Sequence, residues 1–241
     1  AGFAAISTED RLKNLFGYIR KIGDAFGVTT LMVNNFVKAL KTLRTNDTIL
    51  TEISKLSELT GQQRKKLEAE AFQIAGRYGQ SSSDYLLTVQ ELARTGYANL
   101  SKELAELSLL AQTVGNMTAG NANDYLLAAD AAYRYGGSVE RLSAALDGAY
   151  SVSRRSRISL TDLAEAVRVS ASYAAEAGVE ISELTAAAAA MLAATGRSGS
   201  EIGRAFEGIV SNLRQADGLF DGDDALREPM DALRELAGIY N

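Results

Sequence analysis

The 241-residue chain has no cysteine, no histidine, no tryptophan and one proline. Without cysteine there is no disulfide framework, iron–sulfur centre, thiolate zinc site or cysteine nucleophile. Without histidine there is no Ser-His-Asp triad, no imidazole-ligated metal and no imidazole switch at neutral pH. An enzyme made from this chain is confined to carboxylate, lysine or tyrosine chemistry. A single proline leaves helices free to run long. The charge balance, 25 Lys+Arg against 30 Asp+Glu with a pI near 5.0, argues against a protein that coats nucleic acid. The uncharged run from Leu184 to Gly196 is too short and too rich in alanine to span a membrane. The chain opens on Ala1-Gly2-Phe3 with no signal-peptide pattern, and is expected to be a piece of something longer.

What is present reads as helix almost throughout, so the expected fold class is all-α. Leu12, Leu15, Ile19, Ile22, Phe26, Thr29, Val33, Phe36, Leu40 and Leu43 recur at alternating spacings of three and four. That is a coiled-coil-like heptad seam, weakened by Gly17, Gly23 and Gly27. It predicts one or two helices with a joint near Gly27, facing either their own domain or a second chain. Thr45-Asn46-Asp47-Thr48 holds cap formers where the frame slips, and a new apolar set begins at Ile49, Ile53 and Leu56.

From about Thr60 the chain predicts shorter helices separated by Gly/Ser/Asn joints, and these repeat. Asp84-Tyr85-Leu86-Leu87 recurs as Asp124-Tyr125-Leu126-Leu127, with a looser copy from Thr161-Asp162-Leu163. Each unit reads as helix, glycine turn, serine-capped helix, the second helices opening near Ser101, Ser138 and Ser182. The pattern predicts stacked helical hairpins. Gly120-Asn121 reads as one further joint. The alanine run from Ala186 to Ala190, continued by Met191-Leu192-Ala193-Ala194, reads as a helix at the centre of the fold. Ile202, Ala205, Phe206, Ile209 and Leu213 form the next stripe. Asp217 to Asp224 is an acidic linker, and Met230, Leu233, Leu236 and Ala237 mark a last short helix with Pro229 near its first turn. The expected domains are residues 1–59, 60–215 and 216–241.

No constellation predicts chemistry. Asp221-Gly222-Asp223-Asp224 fails the spacing of a calcium loop. Gly196-Arg197-Ser198-Gly199-Ser200 is neither a nucleophile elbow nor a phosphate loop, and reads as a turn with a serine cap. Arg154-Arg155-Ser156-Arg157 reads as a charged joint, and the tyrosines as half-buried rings with wet hydroxyls. No residue is therefore expected to serve in catalysis, in cofactor binding or as a metal ligand.

Residues 70 to 214 resemble the core region of phage tail tape-measure proteins. The resemblance rests on Leu160-Thr161-Asp162-Leu163-Ala164-Glu165-Ala166, then Ala175-Glu176-Ala177-Gly178-Val179 and Ile181-Ser182-Glu183-Leu184. It continues through Met191-Leu192-Ala193-Ala194-Thr195-Gly196 to Ser198-Gly199-Ser200-Glu201-Ile202-Gly203-Arg204-Ala205-Phe206, with Ala129-Asp130-Ala131-Ala132-Tyr133 upstream. It implies a non-enzymatic structural virion protein inside the tail tube, made in the host cytoplasm, that sets tail length and leaves during genome delivery. The implied partners are tail tube, tail tip and tail-assembly chaperone proteins, with self-association expected through the 12–43 seam. A helical-repeat adaptor or assembly-chaperone binding module is the alternative that the hairpins alone allow.

Overall fold

The computed structural model describes residues 30–213, and among them it shows nine α-helices and no strand. They are α1 (Thr30–Ser57), α2 (Gly61–Arg77), α3 (Ser82–Leu92), α4 (Ser101–Gly115), α5 (Ala119–Tyr133), α6 (Val139–Ser156), α7 (Leu160–Glu176), α8 (Ile181–Thr195) and α9 (Gly199–Leu213). A π-helical turn, Ala93–Tyr97, extends α3 and breaks at Gly96, where φ is 99°. The seam from Leu12 to Thr29, the Asp217–Asp224 linker and the Met230–Ala237 stretch lie outside the described residues.

Side-chain caps start most of these helices. The hydroxyls of Thr60, Ser81, Thr118, Ser138, Ser159 and Ser198 each accept the N–H three residues on, satisfying a donor that the helix leaves unpaired. Two of the expected serine caps are not caps. Ser101 is already inside α4, and its hydroxyl donates to the carbonyl of Ala98 at 3.0 Å. In α8 the cap position is Glu180, whose N–H is held by the Glu183 carboxylate at 3.1 Å, and Ser182 is exposed. α4 ends where Gly115-Asn116 reads as its stop, with Asn116 in left-handed conformation, but no second joint falls at Gly120-Asn121, because Gly120 lies in the first turn of α5. Nor does α1 break at its cluster of cap formers. Thr42, Thr48 and Thr51 turn their hydroxyls back onto carbonyls four residues earlier, which lets the helix run through.

The helices stack in two layers. In one, α1, α3, α5, α7 and α9 lie in sequence and run in a common direction. Asn46 meets Ser82 while Ile53 and Val89 share a cavity; Tyr133 reaches Val179; Gly199 lies on Asp162 and Gly203 on Ala166. The even-numbered helices return between them, and from α4 onward each packs on the next, α4 on α6 and α6 on α8. The hairpin period extends one unit ahead of the copies visible in the sequence, because the second half of α1 pairs with α3 as α5 pairs with α7. One buried apolar cluster runs from Ile49 to Val210.

α7 is packed by α5, α6, α8 and α9. The alanine helix α8, expected at the centre, lies in the outer layer, with Ala186, Ala190, Ala193 and Ala194 exposed. The closest approach of axes comes from glycine. A Cβ on Gly199 would land on the Asp162 carbonyl oxygen, and one on Gly203 would lie 2.6 Å from the Val169 Cβ and 2.8 Å from the Ala166 oxygen. With hydrogen at both positions, α9 settles directly on the α7 backbone. Its buried stripe is accordingly Ile202, Gly203, Phe206 and Val210, with Ala205 exposed and Ile209 only half-buried.

Candidate functional site

Among the described residues, the first half of α1 is an exposed helical surface. None of the described side chains between Asn34 and Thr45 is buried. The seam residue Leu40 is half-buried and Leu43 is 45% exposed. At Asn46 the helix enters the body. The Asn46 amide is fully buried, donating to Ser82 Oγ at 2.9 Å and accepting from Ser83 Oγ at 2.7 Å. This clamp fixes the register of α1 against the start of α3, so the exposed half is a rigid continuation of a helix anchored in the core.

A second polar knot joins the repeats. Asp130, buried in α5, accepts hydrogen bonds from the Tyr97 hydroxyl and, at 2.6 Å, from the N–H of Gly137. Burial pushes the Tyr97 phenol up to about 12, reinforced by the hydrogen bond to Asp130 and by its charge. Tyr133 donates to the Val179 carbonyl at 3.1 Å and stacks on Tyr135, whose ring lies under Arg141 at 5.7 Å. Tyr85 and Tyr125, at matching places in two repeats, depart from the expected wet hydroxyls. Both are completely enclosed, and neither hydroxyl has a hydrogen-bond partner among the described residues. Burial therefore pushes both phenols upward.

Two grooves open on the surface. One, of about 460 Å³, runs between α6 and α8 over Ala144, Gly148, Val152 and Ile181, with Arg141 and Glu180 toward one end. The other, of about 340 Å³, lies where α1, α2 and the start of α4 meet, and Glu70 there lies between Lys66 at 3.7 Å and Lys102 at 3.2 Å. Both have the form of surfaces between packed helices.

The loops singled out in the sequence have local roles where they are described. The Ser198 backbone N–H donates to the Glu201 carboxylate at 3.1 Å and the Ser198 hydroxyl accepts the Glu201 N–H at 3.4 Å, closing a capping box. Hydrogen bonds from the Ser198 backbone and hydroxyl hold the Glu201 carboxyl below its usual range. Arg154 and Arg155 fill the last turn of α6, with Arg154 over the Tyr150 ring, and Arg157 ends that helix in left-handed conformation. Among the described residues no three acidic side chains converge as metal ligands. Sequence reading missed the Asn46 clamp, the Asp130 knot and the glycine contact. The last was visible as Gly199-x-x-x-Gly203 inside the motif that carried the family resemblance.

The sequence profile of phage-related minor tail proteins matches residues 68–238, which takes in α2 from its second turn, every later helix of the stack and the stretch beyond α9. The chain belongs to the phage-related minor tail protein family. No curated protein and no solved structure matches it. As a minor tail protein it is a structural component of the phage tail and works against other tail proteins. The matched region is the hairpin stack, and the exposed half of α1 precedes it.

Proposed function

We propose that this minor tail protein is of the tape-measure type, a non-enzymatic chain inside the tail that takes part in setting tail length and leaves during genome delivery. The observation that carries the reading is the match over residues 68–238 to a minor tail family. It coincides with the segment whose motifs resemble the tape-measure core. On this reading residues 60–215 form a folded module within a longer helical protein, and 216–241 continue from it. Residues 1–59 carry the helical lead-in, through whose 12–43 seam copies associate. The protein is made in the host cytoplasm and engages the tail-assembly chaperone, then the tube and the tail tip. The exposed Leu43 on a register-locked helix favours association at the seam over a seam buried in its own domain.

The absence of cysteine permits a direct test. Gln73→Cys on the exposed face of α2 accepts a single gold label in the encoding phage or prophage. Electron microscopy is expected to place the label inside the tail of intact particles and to find it gone from emptied tails. A label on the outer surface, or one retained after ejection, overturns the proposal.

A further inference from the structure

The boundary between α3 and α5 differs from the others in its layer. Along the odd-numbered helices α1 packs broadly on α3, α5 on α7 and α7 on α9, while α3 and α5 touch far less. What joins them is polar. The buried Asn123 on α5 donates to the Glu91 carboxylate on α3 at 2.6 Å. Its own amide oxygen is buried with no hydrogen-bond partner among the described residues. About two turns further along α5, Asp130 accepts from the Tyr97 hydroxyl and from the Gly137 N–H. Glu91 and Tyr97 stand a matching distance apart, so the bonds form one line between helices that run the same way.

The chain bends at both ends of this line. The π-helical turn Ala93–Tyr97 closes α3, and Gly96 within it carries a φ of 99°. Leu100 then seats on Gly137, where an added Cβ would collide with the leucine side chain. The turn after α3 is thereby locked onto the turn after α5. At the other end of the stack the connection from α4 to α5 bends at Asn116, in left-handed conformation. Away from the boundary the helices hold to their own group. Arg77 and Tyr78 on α2 reach Glu106 on α4, Lys102 reaches Glu70, and Thr113 reaches the Tyr78 carbonyl. Beyond the boundary, α7 is packed by α5, α6, α8 and α9.

We propose that the stack is two units, α1–α4 and α5–α9, which part reversibly along this polar seam by swinging about the Gly115–Thr118 connection, with Tyr97, Asp130 and Gly137 as the latch. The physical basis is what each boundary loses on opening. Side-chain hydrogen bonds at the seam are exchanged for bonds to water, and the Asn123 oxygen gains a partner, so the net loss is small. Parting α5 from α7, or α7 from α9, would expose packed apolar surface with no such exchange. An opening of this kind leaves each unit folded. The inference concerns motion within the fold and does not depend on the chain being of the tape-measure type.

The test uses the full chain and its lack of cysteine. Three single-cysteine variants are made: Asn123→Cys at the seam, Ala71→Cys inside α1–α4 and Ser170→Cys inside α5–α9. All three positions are fully buried, so a thiol reagent reaches each one only when the protein opens. Modification rates are followed from zero to about 1 M urea. Opening the seam exposes little new surface, so the rate at position 123 is expected to rise by less than about twofold. Positions 71 and 170 need their unit to unfold, and are expected to rise at least about tenfold. Asn123→Cys gives up the bond to Glu91, and Tyr97→Phe is read against that background. It is expected to speed modification at 123 at least about fivefold, from about two turns away. A rate at 123 that climbs with urea as steeply as the rate at 170 would show one all-or-none body and overturn the proposal. So would a rate at 123 that Tyr97→Phe leaves unaltered.

Discussion

From α1 to α4 the helices are joined side chain to side chain. Arg64 reaches the Asp47 carboxylate at 2.6 Å, Lys102 reaches Glu70 at 3.2 Å, Arg77 reaches Glu106 at 3.0 Å, and Asn46 is clamped to Ser82 and Ser83. From α5 to α9 the polar contacts are more local. Glu165 and Arg168 pair within α7, and Arg197 and Glu201 tie a turn to the helix it opens. What brings α7 and α9 together is the loss of two side chains, at Gly199 and Gly203, with Tyr173 leaning on Glu207 at the rim. Exposed ion pairs are worth little individually, and interiors pack too densely to admit even one extra methyl. The C-terminal half should therefore be brittle toward small steric changes and the N-terminal half tolerant of charge changes.

The largest expected effect tests that brittleness. Gly203→Val should destabilise the fold by about 3 kcal/mol, because its Cβ meets the Ala166 backbone, and Gly199→Ala should cost about 2 kcal/mol. Gly208→Ala, on the same helix with open space around it, should stabilise by up to about 1 kcal/mol. Urea denaturation gives all three values. Equal effects at Gly203 and Gly208 would dissolve the contrast between the halves.

Next in size is the polar clamp. Asn46→Ala strands two serine hydroxyls at the start of α3 and should cost about 1–3 kcal/mol in the same assay. A neutral result would mean that apolar packing holds the N-terminal half as well.

The joint between the halves is sensitive to alkali. The folded pKa of Tyr97 is raised above its ordinary value of 10.0, so the stability it contributes is complete below pH 10 and is lost as pH rises to about 12. Tyr97→Phe should cost about 1–2 kcal/mol at pH 7 by removing a partner of the buried Asp130 carboxylate. Its stability should also fall less steeply than the wild type's between pH 10 and 12 by circular dichroism. Tyr125→Phe removes only a hydroxyl without a partner, and should be neutral or mildly stabilising at pH 7.

The smallest effect is that of salt. Raising the salt from 0.1 to 1 M shortens the screening length from about 10 to 3 Å. That should change the unfolding free energy by less than about 1 kcal/mol. A loss of several kcal/mol would show that the ion pairs around Glu70 and Glu106 matter as much as the glycines.

Helices, hairpins and most joints were legible in the sequence because they depend on local rules, apolar periodicity and caps such as Ser138 and Ser198. The layer order was not. Alanine shows the same pattern in sequence whether it faces a neighbour or water, so α8 read as central although Ala186, Ala190, Ala193 and Ala194 are exposed. Asn46 read as a cap former because its role depends on a serine pair 36 and 37 residues away. The site reading had no local motif to work from. The surface that stands out, the first half of α1, is defined by what does not cover it among the described residues.

The common direction of the odd-numbered helices has a consequence for length. Each hairpin advances the stack by about one helix width, 8–10 Å. The same forty or so residues drawn out as a single helix would cover about 60 Å at 1.5 Å per residue. Per residue, the folded stack thus yields roughly a sixth of the reach of an uninterrupted helix. Inserting or deleting a whole hairpin here would alter the length of the stack by little more than the width of a side-by-side helix, while unravelling one would release several times that distance at once.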